Sequence, residues 1–157
     1  MRKLLVANRG EIAVRILRAA RDAGIRAVAV YADDEVEAMH VRRAPEAYGL
    51  SGSGAAPYLD VDQMLAAAAD TGCDAIHPGY GFLSENPAFA RACEKAGVSF
   101  VGPTVETLEI LSDKVRARAL AQRCGVPVLP ASSGPVTLEA DLPAGANQAA
   151  AEITDRA

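Results

Sequence analysis

Short apolar runs alternate with amphipathic segments along most of this 157-residue chain. The apolar runs predict strands, and segments with apolar residues three or four positions apart predict helices. The predicted strands are 4–7, 27–31, 47–50, 75–77 and 98–101, and the predicted helices are 11–23, 35–43, 61–69, 87–96, 105–111 and 113–124. This alternation is typical of an α/β fold, a Rossmann-like doubly wound parallel sheet with helices on both faces.

Residues that favour helix ends support these boundaries. Gly24 and Gly125 stand where a left-handed residue would end a helix. Asp60 is the expected N-cap of the third helix, with Gln63 in the capping-box position. Ser112 is expected to cap the helix predicted over 113–124.

The pattern changes after Pro127. Residues 128–130 fit an edge strand, 131–145 are rich in Pro and Gly, and 148–153 predict a helix without a following strand. We therefore predict one domain over 1–130, followed over 131–157 by a linker and the truncated start of a second domain.

A loop rich in glycine and polar residues follows the fourth predicted strand. It runs from His77 to Asn86 with the sequence HPGYGFLSEN, and Pro87 then marks the first turn of a helix. Open α/β folds bind their ligands in such loops, at the carboxyl ends of parallel strands. We expect His77 to fix this loop by hydrogen bonding rather than to act as an acid or base.

Composition excludes several classes of protein. Half of the residues are hydrophobic and 23% are charged, which is typical of a folded domain. The net charge of −4 favours neither nucleic acid nor an acidic membrane, and no apolar stretch could span a bilayer. Cys73, Cys93 and Cys124 have no paired spacing, so we expect buried, reduced thiols in a cytoplasmic protein.

Two glycine patterns bear on nucleotide binding. No P-loop motif occurs, and residues 79–84 only approach the dinucleotide fingerprint because Ser84 replaces its third small residue. That fingerprint also belongs in the first strand–helix unit, not the fourth. A nicotinamide oxidoreductase is therefore disfavoured, and we expect residues 51–54, Ser-Gly-Ser-Gly, to be a flexible loop.

Lys114 is the most suggestive single residue. It lies in the first turn of a predicted helix, where a cation and free amide groups together suit a phosphate. An ordinary solvated lysine fits the same position.

The first helix carries a charged face. Glu11, Arg15, Arg18 and Asp22 lie on it at helical spacing. Such a face indicates either a solvated, salt-bridged surface or a subunit contact. Metal binding is not expected, because His40 and His77 have no further ligand at a suitable spacing.

Several motifs, in order, resemble the opening of biotin carboxylases, the ATP-dependent ligases of acyl-CoA carboxylases and pyruvate carboxylase. The matching segments are 7–13 (ANRGEIA), 15–19, 29–31, 40–41, 58–59, 77–86, 100–103 and 113–115. Together they cover nearly everything up to Pro130. The resemblance implies a Rossmann-like domain that precedes an ATP-grasp domain, in an enzyme that uses ATP, Mg²⁺ and bicarbonate to carboxylate carrier-bound biotin.

The resemblance also implies roles for individual residues. Lys114 matches the family lysine that contacts the ATP phosphates. Tyr80 and Gly81 match a loop beside the biotin site, and Glu85 matches a polar residue facing the active-site cleft. No catalytic residue and no metal ligand is carried over.

Partners follow from the same resemblance. They are the ATP-grasp domain, the biotin carboxyl carrier and the carboxyltransferase component, usually in fatty acid metabolism. A homodimer through the helix that bears Arg15 and Arg18 is a further expectation.

Beyond Ala140 the sequence departs from the family pattern. The glycine-rich lid, the carboxylates that hold Mg²⁺ and the bicarbonate ligands of the family have no counterpart in the sequence. We therefore expect an incomplete enzyme that is inactive alone and binds no cofactor tightly. The alternative is a non-catalytic module that binds a partner through the surface normally covered by the ATP-grasp domain.

Overall fold

The computed structural model describes residues 1–129, in which five parallel strands form one sheet in the order β3-β2-β1-β4-β5. The strands are β1 (Lys3–Val6), β2 (Arg26–Tyr31), β3 (Glu46–Gly49), β4 (Ala75–His77) and β5 (Ser99–Phe100). β1 lies at the centre of the sheet, where Leu5 is in register with Val28 of β2 and with Ile76 of β4. The all-parallel α/β fold predicted from the sequence is confirmed.

Six α-helices and two short 3-10 helices connect and follow the strands in the described part of the chain. The α-helices are α1 (Gly10–Asp22), α2 (Met39–Arg43), α3 (Val61–Asp70), α4 (Pro87–Lys95), α5 (Val105–Leu111) and α6 (Lys114–Arg123). The 3-10 helices cover Asp33–Glu35 and Ala56–Leu59.

Both faces of the sheet are buried. Leu5, Val28 and Ile76 pack on one face with Met64 of α3 and Phe89 of α4. The alternate strand residues pack on the other face with α1; they include Leu4, Val6, Ala27 and Ala29. Because side chains of a strand alternate between its faces, burial on both sides explains the nearly continuous apolar runs in the sequence.

The helix predicted over 35–43 is wrong in its first half. Glu35 ends a 3-10 helix, and α2 begins only at Met39 because Ala38 adopts an extended conformation with ψ of 150°. The break brings the ring of His40 into the core, where it is 1% exposed. There Nδ1 accepts from the Gly10 N–H at 3.4 Å and Nε2 lies 3.2 Å from the Val30 carbonyl oxygen.

Two other predicted features differ in detail. Asp113, not Ser112, caps α6, since its carboxylate accepts from the N–H groups of Val115 and Arg116. Asp60 caps α3 as predicted, but the side chain of Gln63 bonds to the Asp60 carboxylate and to the backbone of Ser51 instead of to the Asp60 N–H.

The loop at residues 51–54 is not free of contacts. The Gly52 N–H donates to Asp33 at 2.8 Å, and the Gly54 N–H donates to Asp34 at 3.0 Å. Two carboxylates therefore hold the backbone of this loop, which its composition predicted to be flexible.

The chain divides into two units, Met1–Ser112 and a second that begins at Asp113. Of the second unit, α6 and the segment up to Leu129 are described, and Val128 and Leu129 form no strand. The linker predicted over 131–145 and the helix over 148–153 lie outside the described residues.

At Gly79, the backbone of the segment that follows β4 lies very close to side chains of the segment that follows β1. Its φ is 71°, and a Cβ there would lie 2.7 Å from Nδ2 of Asn8 and 2.8 Å from Cγ2 of Ile12. Such distances are shorter than van der Waals contact, so only glycine fits without movement of Asn8 or Ile12.

We predict that Gly79→Ala lowers the free energy of unfolding by about 2–4 kcal/mol, from a strained backbone and an overpacked contact. Gly24→Ala is the matched control, since Gly24 has the same φ of 71° but nothing within 4 Å of its Cβ position. Urea denaturation of both variants measures the difference. Equal losses in the two would show that the close approach contributes nothing.

Candidate functional site

The order of the sheet reverses beside β1. The chain builds β2 and β3 on one side of β1, and then returns to add β4 and β5 on the other side. The connections that leave the carboxyl ends of β1 and β4 therefore run in opposite directions along the sheet. Ligands of open α/β folds bind at this kind of switch point. Here the two connections are residues 7–9 and the 78–86 loop.

Asn8 joins these two connections. Its side-chain Nδ2 donates to the carbonyl oxygens of Pro78 at 2.7 Å and Tyr80 at 3.0 Å. Its Oδ1 accepts from the Arg9 N–H at 2.9 Å. Asn8 is 2% exposed, so its amide is satisfied by the protein alone and fixes the start of the loop.

His77 also fixes the loop. Its Nδ1 accepts from the N–H of Gly79 at 3.0 Å, so the ring is neutral with its proton on Nε2 in this arrangement. Burial lowers the pKa of His77 below its ordinary value, which favours the same neutral form. The structural role predicted for His77 is confirmed.

Arg9 lies against the middle of the loop. Its Nη1 bonds to Oε1 of Glu35 at 3.0 Å, and its guanidinium carbon lies 5.6 Å from the ring centre of Tyr58 and 5.7 Å from that of Phe82. The Tyr58 and Phe82 rings stack with centres 5.4 Å apart. One cation thus contacts two aromatic rings and a carboxylate.

Tyr58 completes this group by donating its hydroxyl to Oε2 of Glu35 at 2.5 Å. Burial, followed by this hydrogen bond to Glu35, raises the pKa of Tyr58 well above its ordinary value. The hydroxyl therefore stays protonated and remains a donor at neutral pH. It also accepts from the Ala32 N–H at 3.3 Å.

The sequence patterns do not predict this cluster of Arg9, Glu35, Tyr58 and Phe82. Its members are 23 to 73 positions apart in the sequence, and no spacing rule joins them. A signal was nevertheless present, because Arg9, Tyr58 and Phe82 all lie within segments that carry the family resemblance.

Three of the four predicted site residues share the 78–86 loop. Tyr80 is 68% exposed, and Gly81 and Glu85 are also exposed. Gly81 has a φ of 68° and open space around it, so its backbone is accessible to a ligand. The loop is anchored beneath them by Leu83, which is 2% exposed.

Lys114, the fourth predicted residue, begins α6 in the second unit and is exposed. The N–H groups of Val115 and Arg116 already bond to the Asp113 carboxylate. These two groups are therefore not free to bind a phosphate, as the sequence suggested for this helix start.

A groove of about 710 Å³ runs beside α1 and reaches Tyr80. Its lining is largely apolar and includes Ile12, Ile16 and Val101, with Glu11 and Arg15 also contributing. Arg15 and Arg18 are exposed and form no ion pair with another described residue. A salt-bridged helix face is therefore not observed around them.

Other chemistry is sparse among residues 1–129. No group of three or more His, Cys, Asp or Glu side chains is placed to hold a metal ion. Within the same range, no helix is both long and apolar enough to cross a bilayer. Cys73 and Cys93 are buried as expected, whereas Cys124 is exposed.

Comparison with known proteins gives one consistent result. The family model described as "Biotin carboxylase, N-terminal domain" matches residues 1–108. The alpha3 subunit of a biotin-dependent acyl-coenzyme A carboxylase from Mycobacterium leprae is 53% identical over 135 residues, which are 85% of this chain and 23% of that protein.

Solved structures agree with the sequence comparison. The biotin carboxylase domain of a single-chain bacterial carboxylase has a TM-score of 0.84 at 51% identity, covering 99% of this chain and 34% of that one. The biotin carboxylase domain of a thermophilic 2-oxoglutarate carboxylase, solved with bicarbonate bound, has a TM-score of 0.82 at 46% identity, covering 85% of this chain and 30% of that one.

The chain is much shorter than these proteins and spans 12–29% of the length of curated relatives that it matches. The match nevertheless extends over the whole of the described sheet, and the motifs at its switch point lie within it. By sequence and by fold, the chain belongs to the biotin carboxylase N-terminal domain family.

Proposed function

We propose that this chain serves as the N-terminal domain of a biotin carboxylase, an ATP-dependent ligase that carboxylates carrier-bound biotin. The main support is the 78–86 loop, which lies at the switch point of the sheet with Tyr80, Gly81 and Glu85 exposed and its base fixed by Asn8. A loop ordered before its ligand arrives loses less conformational entropy on binding.

Within such an enzyme, the loop would face biotin and Lys114 would contact the phosphates of ATP. Tyr80 and Gly81 would form the biotin side, while Glu85 would face the active-site cleft. Mg²⁺ and bicarbonate would bind to an ATP-grasp domain. We propose that residues 1–130 form one domain and that residues 131–157 lead from it into the ATP-grasp domain. The bicarbonate bound to the solved 2-oxoglutarate carboxylase domain is consistent with this assignment.

The partners of the domain would be the remaining components of a biotin-dependent carboxylase. These are the ATP-grasp domain, a biotin carboxyl carrier and a carboxyltransferase, with fatty acid metabolism in the cytoplasm as the setting for an acyl-CoA substrate. We propose a homodimer contact through α1, because Arg15 and Arg18 are exposed there without an ionic partner among the described residues.

The chain alone should not hydrolyse ATP in a bicarbonate-dependent way. The described residues offer no cluster of metal ligands, and neutralisation of developing charge by metal ions is central to phosphoryl transfer. The measurement is phosphate release from purified chain with ATP, Mg²⁺ and bicarbonate, with a complete biotin carboxylase as positive control. Bicarbonate-dependent release above background would overturn the expectation.

Lys114→Ala, made in a complete biotin carboxylase that contains this chain, should weaken ATP binding by about 1–3 kcal/mol, the contribution of a charge-assisted hydrogen bond. Lys95→Ala is the matched control, because Lys95 is also exposed and also near a helix end, and should change binding by less than about 0.5 kcal/mol. Calorimetric titration with ATP compares them. Indistinguishable affinities for both variants and the parent protein would remove Lys114 from the site.

A further inference from the structure

The 78–86 loop contains an unusual backbone position. Phe82 has a φ of 45°, the only positive φ at a non-glycine residue in the described part of the chain. A bulky side chain is disfavoured there, and such strain persists only where surrounding contacts determine the conformation. Some feature of the fold must therefore hold Phe82.

The contacts that hold Phe82 converge on Arg9. The Phe82 ring stacks on Tyr58 with an interplanar angle of 28°, and the guanidinium of Arg9 lies within 6 Å of both ring centres. Glu35 closes the cluster by bonding to Arg9 through one carboxylate oxygen and to Tyr58 through the other. Each side chain thereby touches at least two of the others.

The cluster is partly shielded from water. Tyr58 is fully buried, and the side chains of Arg9 and Glu35 are 36% and 20% exposed. Cation–π attraction is strongest where the cation is partly desolvated, and the planar guanidinium suits two rings better than an ammonium group.

We propose that Arg9 is a positioning residue that sets the conformation of the 78–86 loop by fixing Phe82. Phe82 lies between the two groups of exposed site residues, Tyr80 and Gly81 before it and Glu85 after it. Its left-handed backbone sets the direction in which the chain continues to Glu85. This inference rests on the proposed function only for its consequence in catalysis, since the effect of Arg9 on the loop is a property of this chain alone.

Arg9→Lys tests the role of the planar guanidinium, because lysine keeps the charge beside Glu35. We expect amide hydrogen exchange at Ser84 and Asn86, whose N–H groups bond to the carbonyl oxygens of Gly81 and Leu83, to become faster by roughly tenfold or more, while amides of β1 and β2 keep their protection. Arg21→Lys is the matched control: Arg21 is an exposed α1 residue paired with Asp22 at 3.1 Å, and its replacement should change neither set.

Substitutions at Phe82 give an independent test. Phe82→Leu removes the ring and should increase exchange in the loop as Arg9→Lys does, whereas Phe82→Tyr retains the ring and should preserve protection. Unchanged loop exchange in Arg9→Lys would overturn the proposal. Equal acceleration throughout the sheet would also overturn it, because that result indicates a purely structural role.

The consequence for catalysis is measured in a complete biotin carboxylase that contains this chain. Arg9→Lys should raise the KM for biotin several-fold and leave the KM for ATP unchanged. If loop exchange increases but neither constant changes, Arg9 positions the loop and the proposed biotin role of the loop is wrong. If the loop is unaltered, the positioning role itself is wrong, whatever the kinetics.

Discussion

The buried amide of Asn8 is the interaction on which the switch point depends. β1 and β4 are paired in the sheet, but the connections that leave them run to opposite sides, so beyond the strand ends only non-covalent contacts hold these connections together. Asn8 provides three hydrogen bonds, of which the one to the Pro78 carbonyl oxygen is buried and the other two are partly buried. An apolar residue there would leave the buried Pro78 carbonyl without this partner, at a cost of about 1–3 kcal/mol. The close approach of Gly79 follows from this tie, because the loop must pass directly over the Asn8 side chain.

Much of the fold could be predicted because local signals, the apolar runs and the glycines at helix ends, decide it. Apolar runs such as 27–31 are buried on both faces, and glycines such as Gly24 do end the helices they follow. The prediction failed at residues 35–43, where local periodicity suggested one helix. A tertiary demand prevailed there: His40 enters the core and bonds to Val30 and Gly10, which requires the chain to turn first at Ala38.

The sequence predicts where the candidate site lies but not how its side chains are arranged. The loop after β4 could be identified because its composition and its place after a strand are both encoded locally. The cluster beneath it could not, since Arg9, Glu35, Tyr58 and Phe82 come from four separate connections that only the sheet order brings together. Sequence separation hides a contact whenever the topology, rather than the helix or strand period, creates it. The wrong cap predicted for α6 has a different, local cause: Ser112 has a helical backbone conformation and Asp113 an extended one, and the sequence does not show which of the two adjacent residues takes the extended conformation.

The glycine–serine segment at residues 51–54 has a consequence for ligand selection. Loops of this composition often expose a row of backbone N–H groups that attract phosphate. Here Gly52 and Gly54 already donate to the carboxylates of Asp33 and Asp34. Because the two aspartates belong to the same domain, they compete with a dissolved anion for these N–H groups at an effective concentration on the order of millimolar or more. A soluble polyphosphate would have to displace them and would meet their negative charge while doing so. Two carboxylates of the domain thus occupy N–H groups that an anion would otherwise meet at this loop.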